Sequence, residues 1–298
     1  MIIWARRETS SADMTRNGFK WYNVPEMSAG EMTPLLRVAA SSYLNSAPLI
    51  WSFWHGPRSS ECELITDAAP SRCADMLARG EAGAALIPVI EYQRLPEVAI
   101  VPEVCVGSRA AVRSVVLATK GKKLKDVRSI ALDTSSRTSV ALIKIIFREF
   151  VGHEPEWRPA APDLRAMLRE NDAALLIGDP AMTFPRKGLR VYDMATLWRE
   201  FTGHGFVFAM WAVNLAAQAQ VAGVGFAAAR NEGVARIDEI AASYQPELGL
   251  PLAELCSYLR DNICFALDED LRAGMQLYFA LAYRHGLIPA VKTLQMLY

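Results

Sequence analysis

Residues 127–150 read VRSIALDTSSRTSVALIKIIFREF. Val127–Leu132, ending in the apolar Ile130-Ala131-Leu132, has the length of a strand, and seven polar residues, Asp133 to Ser139, follow it. Val140, Ile143, Phe147 and Phe150 then recur at the spacing of one helix face, up to Gly152. Strand, polar turn and helix in this order form half of a βαβ unit, the connection that parallel strands require. The turn has a chemistry of its own. Free N–H groups and the dipole at a helix N-terminus favour an anion, and small hydroxyl residues let one approach. Ordinary N-capping by Ser or Thr accounts for the same residues.

The alternation repeats outward from this stretch. Leu36–Ala40, Ala84–Ile87, Ser114–Thr119, Ala173–Ile177 and Phe206–Val213 read as strands. One helix follows Pro70 and stops at Gly80, and another starts near Asp163 with Leu164, Met167 and Leu168 inward. Beyond Val213 the pattern is helical, and Asp268 caps a last helix with Leu271, Met275, Tyr278 and Leu281 on one face, closed by Gly286. The pattern predicts an α/β protein with mainly parallel strands and an α/β lobe inserted between two strands. Residues 36–117 and 214–298 are expected to form lobe 1, residues 118–213 lobe 2, and residues 1–35 a mobile extension. A cleft between lobes, at the C-terminal ends of strands, is the usual place for a small ligand.

Four segments put polar residues at strand ends: Ser41–Ser46, Ser108–Ser114, Asp133–Ser139 and Gly178–Asp179. Any one of them is explained by capping or turn chemistry. Four facing one cleft point to a site for a carboxylate.

Composition removes several classes. Lys plus Arg and Asp plus Glu are 32 each, so the neutral chain has no general attraction to nucleic acid or an anionic membrane. Lys120, Lys122, Lys123 and Lys125 fit a solvated turn. Five scattered cysteines without C-x-x-C, and four dispersed histidines, argue against a disulfide scaffold and a metal site and for a reducing, cytoplasmic setting. The first residues show no signal-peptide apolar region, and Met14, Met27 and Met32 are alternative starts. Gly205–Ala229 carries no charge, yet Asn214, Gln218 and Gln220 sit inside it, so a buried strand followed by a buried helix is expected in place of a membrane span. Gly223–Ala228 matches G-x-G-x-x-A but follows no strand, which reads as close helix packing. There is no P-loop and no G-x-S-x-G elbow.

The segments RVAASSYLNSAPL (37–49), ALIPVIEYQRL (85–95), SIALDTSSRTSVALIKIIF (129–147), AALLIGDPAM (173–182) and LWREFTGHGFVFAMWAV (197–213) occur in one order and spacing. In this the chain resembles the chorismate dehydratases of the futalosine route to menaquinone, from about Arg37 to Val213. The resemblance implies an α/β, two-lobed fold like the type II periplasmic solute-binding proteins: mixed or parallel sheets, flanking helices and a central cleft. The related dihydroxynaphthoate synthase typically carries Cys-Pro-Asn-Asp where this chain has Ser-Tyr-Leu-Asn, a departure from that later enzyme.

The resemblance also implies a reaction, conversion of chorismate to 3-[(1-carboxyvinyl)oxy]benzoate with loss of water, which needs no cofactor. Asn45 would then hydrogen-bond the substrate near the reacting carbon or the departing hydroxyl, with Ser42 and Tyr43 lining the same strand end. Ser114 would bind a carboxylate, and Ser136, Thr138 and Ser139 would hold one at the helix N-terminus. Asp179, Thr202 and Gly203 complete the expected substrate contacts. Asp179 is the one candidate base, and a carboxylate of the substrate itself, set near C3 by the enolpyruvyl ether, is the expected proton acceptor. Two departures from the family pattern, His204-Gly205 after Thr202-Gly203 and Ser108-Arg109-Ala110-Ala111 before Ser114, bear on pocket shape. Arg109 adds a cation or is exposed; His204 faces the cleft or solvent. A non-catalytic binder of a small carboxylate remains the rival, and a homodimer is compatible with the neutral charge, with no interface identified.

Overall fold

A computed structural model describes residues 35–297. The expected N-terminal extension lies outside the described residues except for Leu35. Strands β1 (Arg37–Ser41), β2 (Glu63–Asp67), β3 (Ala84–Pro88) and β4 (Val98–Ser108) build a first sheet, with helices α1 (Ala47–Trp54) and α2 (Pro70–Ala78) between them. Proline occupies the first turn of both helices, where its missing N–H costs nothing.

The chain then enters a second sheet made of β5 (Val115–Thr119), β6 (Ser129–Asp133), β7 (Glu156–Ala160), β8 (Ala173–Ile177) and β9 (Arg190–Asp193). Between these run α3 (Thr138–Ile145), continued by a π-helical turn Ile146–Val151, then α4 (Leu164–Glu170) and α5 (Asp179–Thr183), with α6 (Met194–Thr202) after β9. Asp163 caps α4, and Asp193 caps α6 through the Ala195 and Thr196 amides. β10 (Phe206–Asn214) returns to the first sheet. α7 (Gln218–Val221), α8 (Phe226–Val234), α9 (Ile237–Leu248), α10 (Leu252–Ser257) and α11 (Glu269–Arg284) finish the chain, and Asp268 caps the last of them.

The sheet orders are β2-β1-β3-β10-β4 and β7-β6-β8-β5-β9. In each, the first three strands pair in parallel and one strand, β10 or β5, runs antiparallel to both its neighbours. The expectation of mainly parallel strands therefore holds for strand direction and misses the reversed strand in each sheet. Chain passages between the sheets fall at 109–114 and 194–205. The expected boundaries at 117 and 213 shift by one strand, because β5 pairs along its whole length with β8 and β9, and β10 with β3 and β4.

Two further expectations change. After β10 the chain does not enter a buried helix: residues 215–217 form a 3-10 turn, α7 is a single turn, and Ala216, Gln218, Ala219 and Gln220 are exposed. A Cβ at Gly223 would meet only the Gln220 carbonyl oxygen, at an ordinary 3.8 Å; the close helix packing occurs at Gly233 of α8, where a Cβ would lie 1.9 Å from the Pro48 carbonyl oxygen of α1. Among the described residues no helix is long and apolar enough to cross a membrane.

The strand direction fixes where a ligand can sit. β1, β3, β6 and β8 all end at the gap between the two sheets, and the reversed strands β5 and β10 begin there. Val38, Ala39, Ala40, Ala84, Ala85 and Ile87 are fully or almost fully buried, so these strands are held by apolar contact on both faces. Their polar ends are left at the gap.

Candidate active site

Three of the four polar strand ends meet at a narrow cavity of about 50 Å³. Tyr43, Asn45 and Ser46 come from the segment after β1, Ser136, Thr138 and Ser139 from the turn into α3, and Gly178 from the end of β8. Val106, Val115 and Phe208 form an apolar wall. Phe208 is the extra residue of a bulge: Val207 pairs with Gly107 and Ala209 with Val106, which turns the ring into the cavity wall.

The Asn45 side chain has a set orientation. Its Oδ1 accepts from the Ser46 hydroxyl at 3.2 Å, so its NH₂ is the donor left for other partners. On the facing sheet, the Ser139 N–H donates to Ser136 Oγ at 3.3 Å, and Thr138 Oγ1 accepts from the Ile90 N–H at 3.3 Å. All three hydroxyl residues are buried. The Ser136 N–H is also taken, by the Asp133 carbonyl at 3.1 Å, so the three hydroxyls and the Thr138 N–H at the start of α3 are the donors this turn leaves for an anion. Asp133 stands behind it as scaffold: its Oδ1 accepts from the amide and hydroxyl of Ser135, at 2.9 and 2.5 Å, and its Oδ2 from the Ile177 amide. Burial pushes its carboxyl up from the ordinary range, and these bonds oppose that shift.

Next to this cavity lies a larger groove of about 620 Å³, lined by Trp51, Trp54, His55, Tyr244 and Glu247 among others. Tyr43 borders both spaces. Its ring lies on Gly178, where a Cβ would come within 2.4 Å of it. Gly178 has φ 66° and ψ −150°, a region open to glycine alone, so backbone and space both require this residue. Asp179 faces the groove, and its carboxylate accepts from the Leu44 N–H at 3.1 Å. Burial pushes its carboxyl up to about 7, with a smaller contribution from Glu247, while the Leu44 N–H works against the rise.

Other bonds cross from sheet to sheet. Arg137 holds Asp75 at 2.7 and 2.8 Å and Glu91 at 2.8 Å, and the Ser71 N–H donates to the Ser135 carbonyl at 3.3 Å. These bonds tie the two sheets together across the cleft.

The remaining expected residues lie elsewhere. Ser42 lines the groove, its hydroxyl 3.5 Å from the Asp67 carbonyl. Ser114 is fully buried behind Val115 and lines neither space; its Oγ accepts from the Tyr258 hydroxyl at 2.7 Å. Thr202 and Gly203 also line neither: the Thr202 hydroxyl donates to the Trp198 carbonyl, and Gly203, left-handed at φ 79°, closes α6. His204 and Arg109 are on the surface, bonded to Asp270 at 3.1 Å and Asp268 at 2.7 Å. Sequence reasoning missed Phe208 and Tyr244. A bulge and packing from a distant helix bring them in, and neither leaves a periodic signal; Ser46, also unassigned, was at hand beside Asn45.

The model of a family described as menaquinone biosynthesis matches residues 36–284. The chorismate dehydratase of Thermus thermophilus is 31% identical over 257 residues, which span 79% of this chain and 91% of that protein. A solved structure of an Archaeoglobus fulgidus protein superposes with a TM-score of 0.69 at 20% identity, covering 85% of this chain and 98% of that one. The periplasmic aliphatic sulphonate binding protein of Escherichia coli does so with a TM-score of 0.60 at 17% identity, covering 89% and 94%. These structures establish a periplasmic-binding-protein-like fold. By the extent of the match and the identity to its curated relative, this chain belongs to the menaquinone biosynthesis family.

Proposed function

We propose that this protein is a lyase that eliminates water from chorismate to give 3-[(1-carboxyvinyl)oxy]benzoate. Family membership and the name of the Thermus thermophilus relative support the reaction. The observation that carries the mechanism is the make-up of the narrow cavity. Its described lining offers one amide, Asn45, and a set of hydroxyls at a helix N-terminus, with no carboxylate, imidazole or amine.

A substrate carboxylate binds at Ser136, Thr138 and Ser139, where the three hydroxyls and the Thr138 amide supply donors. The C3 proton passes to the enolpyruvyl carboxylate of the same substrate. The electron pair of the C3–H bond forms the C3–C4 double bond, the C4 hydroxyl departs, and it leaves as water with the proton. Aromatisation drives the step. The Asn45 amide is too weak a base to take the proton, and its N–H orients and stabilises the departing oxygen. Asp179, on the groove side, holds the lobes through Leu44.

A cavity of 50 Å³ has room for roughly three waters, far less than chorismate, so the substrate enters when the latches across the cleft part. The free cysteines suit a cytoplasmic enzyme. The test is incubation of the full-length protein with chorismate alone, followed by chromatography and mass spectrometry. An aromatic product lighter by one water supports the reading. Saturable binding without any product identifies a carboxylate binder.

A further inference from the structure

Tyr278 comes from α11, and its hydroxyl donates to the Thr138 carbonyl at 2.9 Å. The side chain is completely buried, its ring set edge-on against Trp198 and Phe206. Burial holds the phenol well above its ordinary range, so it stays protonated and donates at any working pH. The Thr138 carbonyl and the Ser139 N–H belong to one peptide group. That N–H donates to Ser136 Oγ at 3.3 Å, and a hydroxyl oxygen that accepts keeps its own proton to donate. Ser136 lines the narrow cavity.

A line of donors results. It runs from Tyr278 O–H to the Thr138 carbonyl, across the peptide to Ser139 N–H, and on to Ser136 Oγ, with the Ser136 O–H as its open end. Bonds at both ends of one peptide group polarise it in the same sense, so each strengthens the other. Arg137, the residue before α3, makes no side-chain cap, and the Ser136 hydroxyl takes over that function. Thr138 is fixed from the other sheet as well, through the Ile90 N–H on its Oγ1. Tyr278 itself lines neither cavity nor groove.

We propose that Tyr278 is a positioning residue for carboxylate recognition: through the Thr138–Ser139 peptide, its hydroxyl fixes and polarises the Ser136 hydroxyl that holds the substrate carboxylate. This rests on the reading of the Ser136–Ser139 turn as the carboxylate site. The carboxylate held there keeps its charge through the elimination. Weakening its hold therefore affects substrate and transition state alike, and shows in KM rather than in kcat.

The test compares full-length wild type with Tyr278→Phe, Ser136→Ala and the double variant. Each is measured by steady-state turnover of chorismate and by calorimetric titration with 3-[(1-carboxyvinyl)oxy]benzoate. Tyr278→Phe keeps the ring packing and removes the hydroxyl. The expected result is a rise of about 3- to 10-fold in KM and in the Kd of the titrant, the range for one hydrogen bond, with kcat changed less than about twofold. In the Ser136→Ala background the same change should cost nothing further, because the line has lost its open end. If Tyr278→Phe does not fold, 3-fluorotyrosine in place of Tyr278, a stronger donor of nearly the same size, should lower both constants. Unchanged constants in the variant that folds, an equal rise with and without the Ser136 hydroxyl, or a loss in kcat alone overturns the inference and leaves the reaction intact. Titrant binding without wild-type turnover overturns the dehydratase reading, while the Kd comparison still decides the role of Tyr278. Neither binding nor turnover overturns both.

Discussion

The Leu44 N–H and the Asp179 carboxylate meet across the cleft, 3.1 Å to Oδ1 and 3.4 Å to Oδ2. One follows β1 and the other follows β8, so this backbone amide helps join the two sheets beside the cavity. The carboxyl is held up to about 7 chiefly by its burial. That relation has consequences for stability and for catalysis.

A raised carboxyl pKa favours the folded state at low pH. The contribution is complete below the ordinary aspartate range and is lost as pH rises through about 7. The shift amounts to at most roughly 4 kcal/mol between the protonation states, less whatever the partial exposure of the side chain screens. Asp179→Asn should therefore melt higher than wild type at about pH 8, and the gap should close as pH falls toward about 4. Thermal melts across that range check it; a gap that widens at low pH would refute the assignment.

Asp179→Asn should retain measurable turnover of chorismate, because its side chain faces the groove and an amide oxygen still accepts from Leu44. Variant kinetics beside a binding measurement decide this. Abolished turnover with intact binding would make Asp179 the base.

Asn45→Ala should lower kcat by about 10² to 10³, the range for removing one preorganised donor, with chorismate binding kept. Isothermal titration beside turnover separates the two. Equal losses in both would reduce Asn45 to a recognition residue.

Gly178→Ala combines a forbidden backbone region with a Cβ within 2.4 Å of the Tyr43 ring. A cost of about 2 kcal/mol or more is expected, a fall of about 4–8 °C in Tm for a chain of this size. Adding Tyr43→Ala should recover only the steric part. Full recovery would show that the backbone carries no strain.

Arg137→Ala removes the ion pairs to Asp75 and Glu91 and leaves the nearly buried Glu91 with Arg94 alone. The free protein should populate more open lobes, read as a larger radius of gyration by small-angle scattering. An unchanged radius would mean that other contacts hold the cleft shut.

What the sequence made legible follows from how local the signal is. β8 is a purely apolar run and was read at its exact residues, Ala173–Ile177, and Asp163 and Asp268 cap the helices assigned to them. Polar residues after β1, β6 and β8 were readable because an apolar strand ends abruptly there. β2 was missed because its exposed and half-buried residues carry no apolar run. β5 and β10 looked alike as strands, yet no local pattern says which sheet each will join. Tyr258 reaches Ser114 across 144 positions, a contact of tertiary packing. Thr202 and Gly203 were carried over from a family pattern, and in this chain their spacing serves a helix cap.

The most direct measurement is the pH profile of kcat for wild-type protein with chorismate. With a substrate carboxylate as proton acceptor, titrating near about 4, the account predicts product lighter by one water and a kcat that is flat from about pH 6 to about pH 9. A kcat that drops below an apparent pKa near 7, with the drop absent in Asp179→Asn, would contradict it and assign the proton to Asp179.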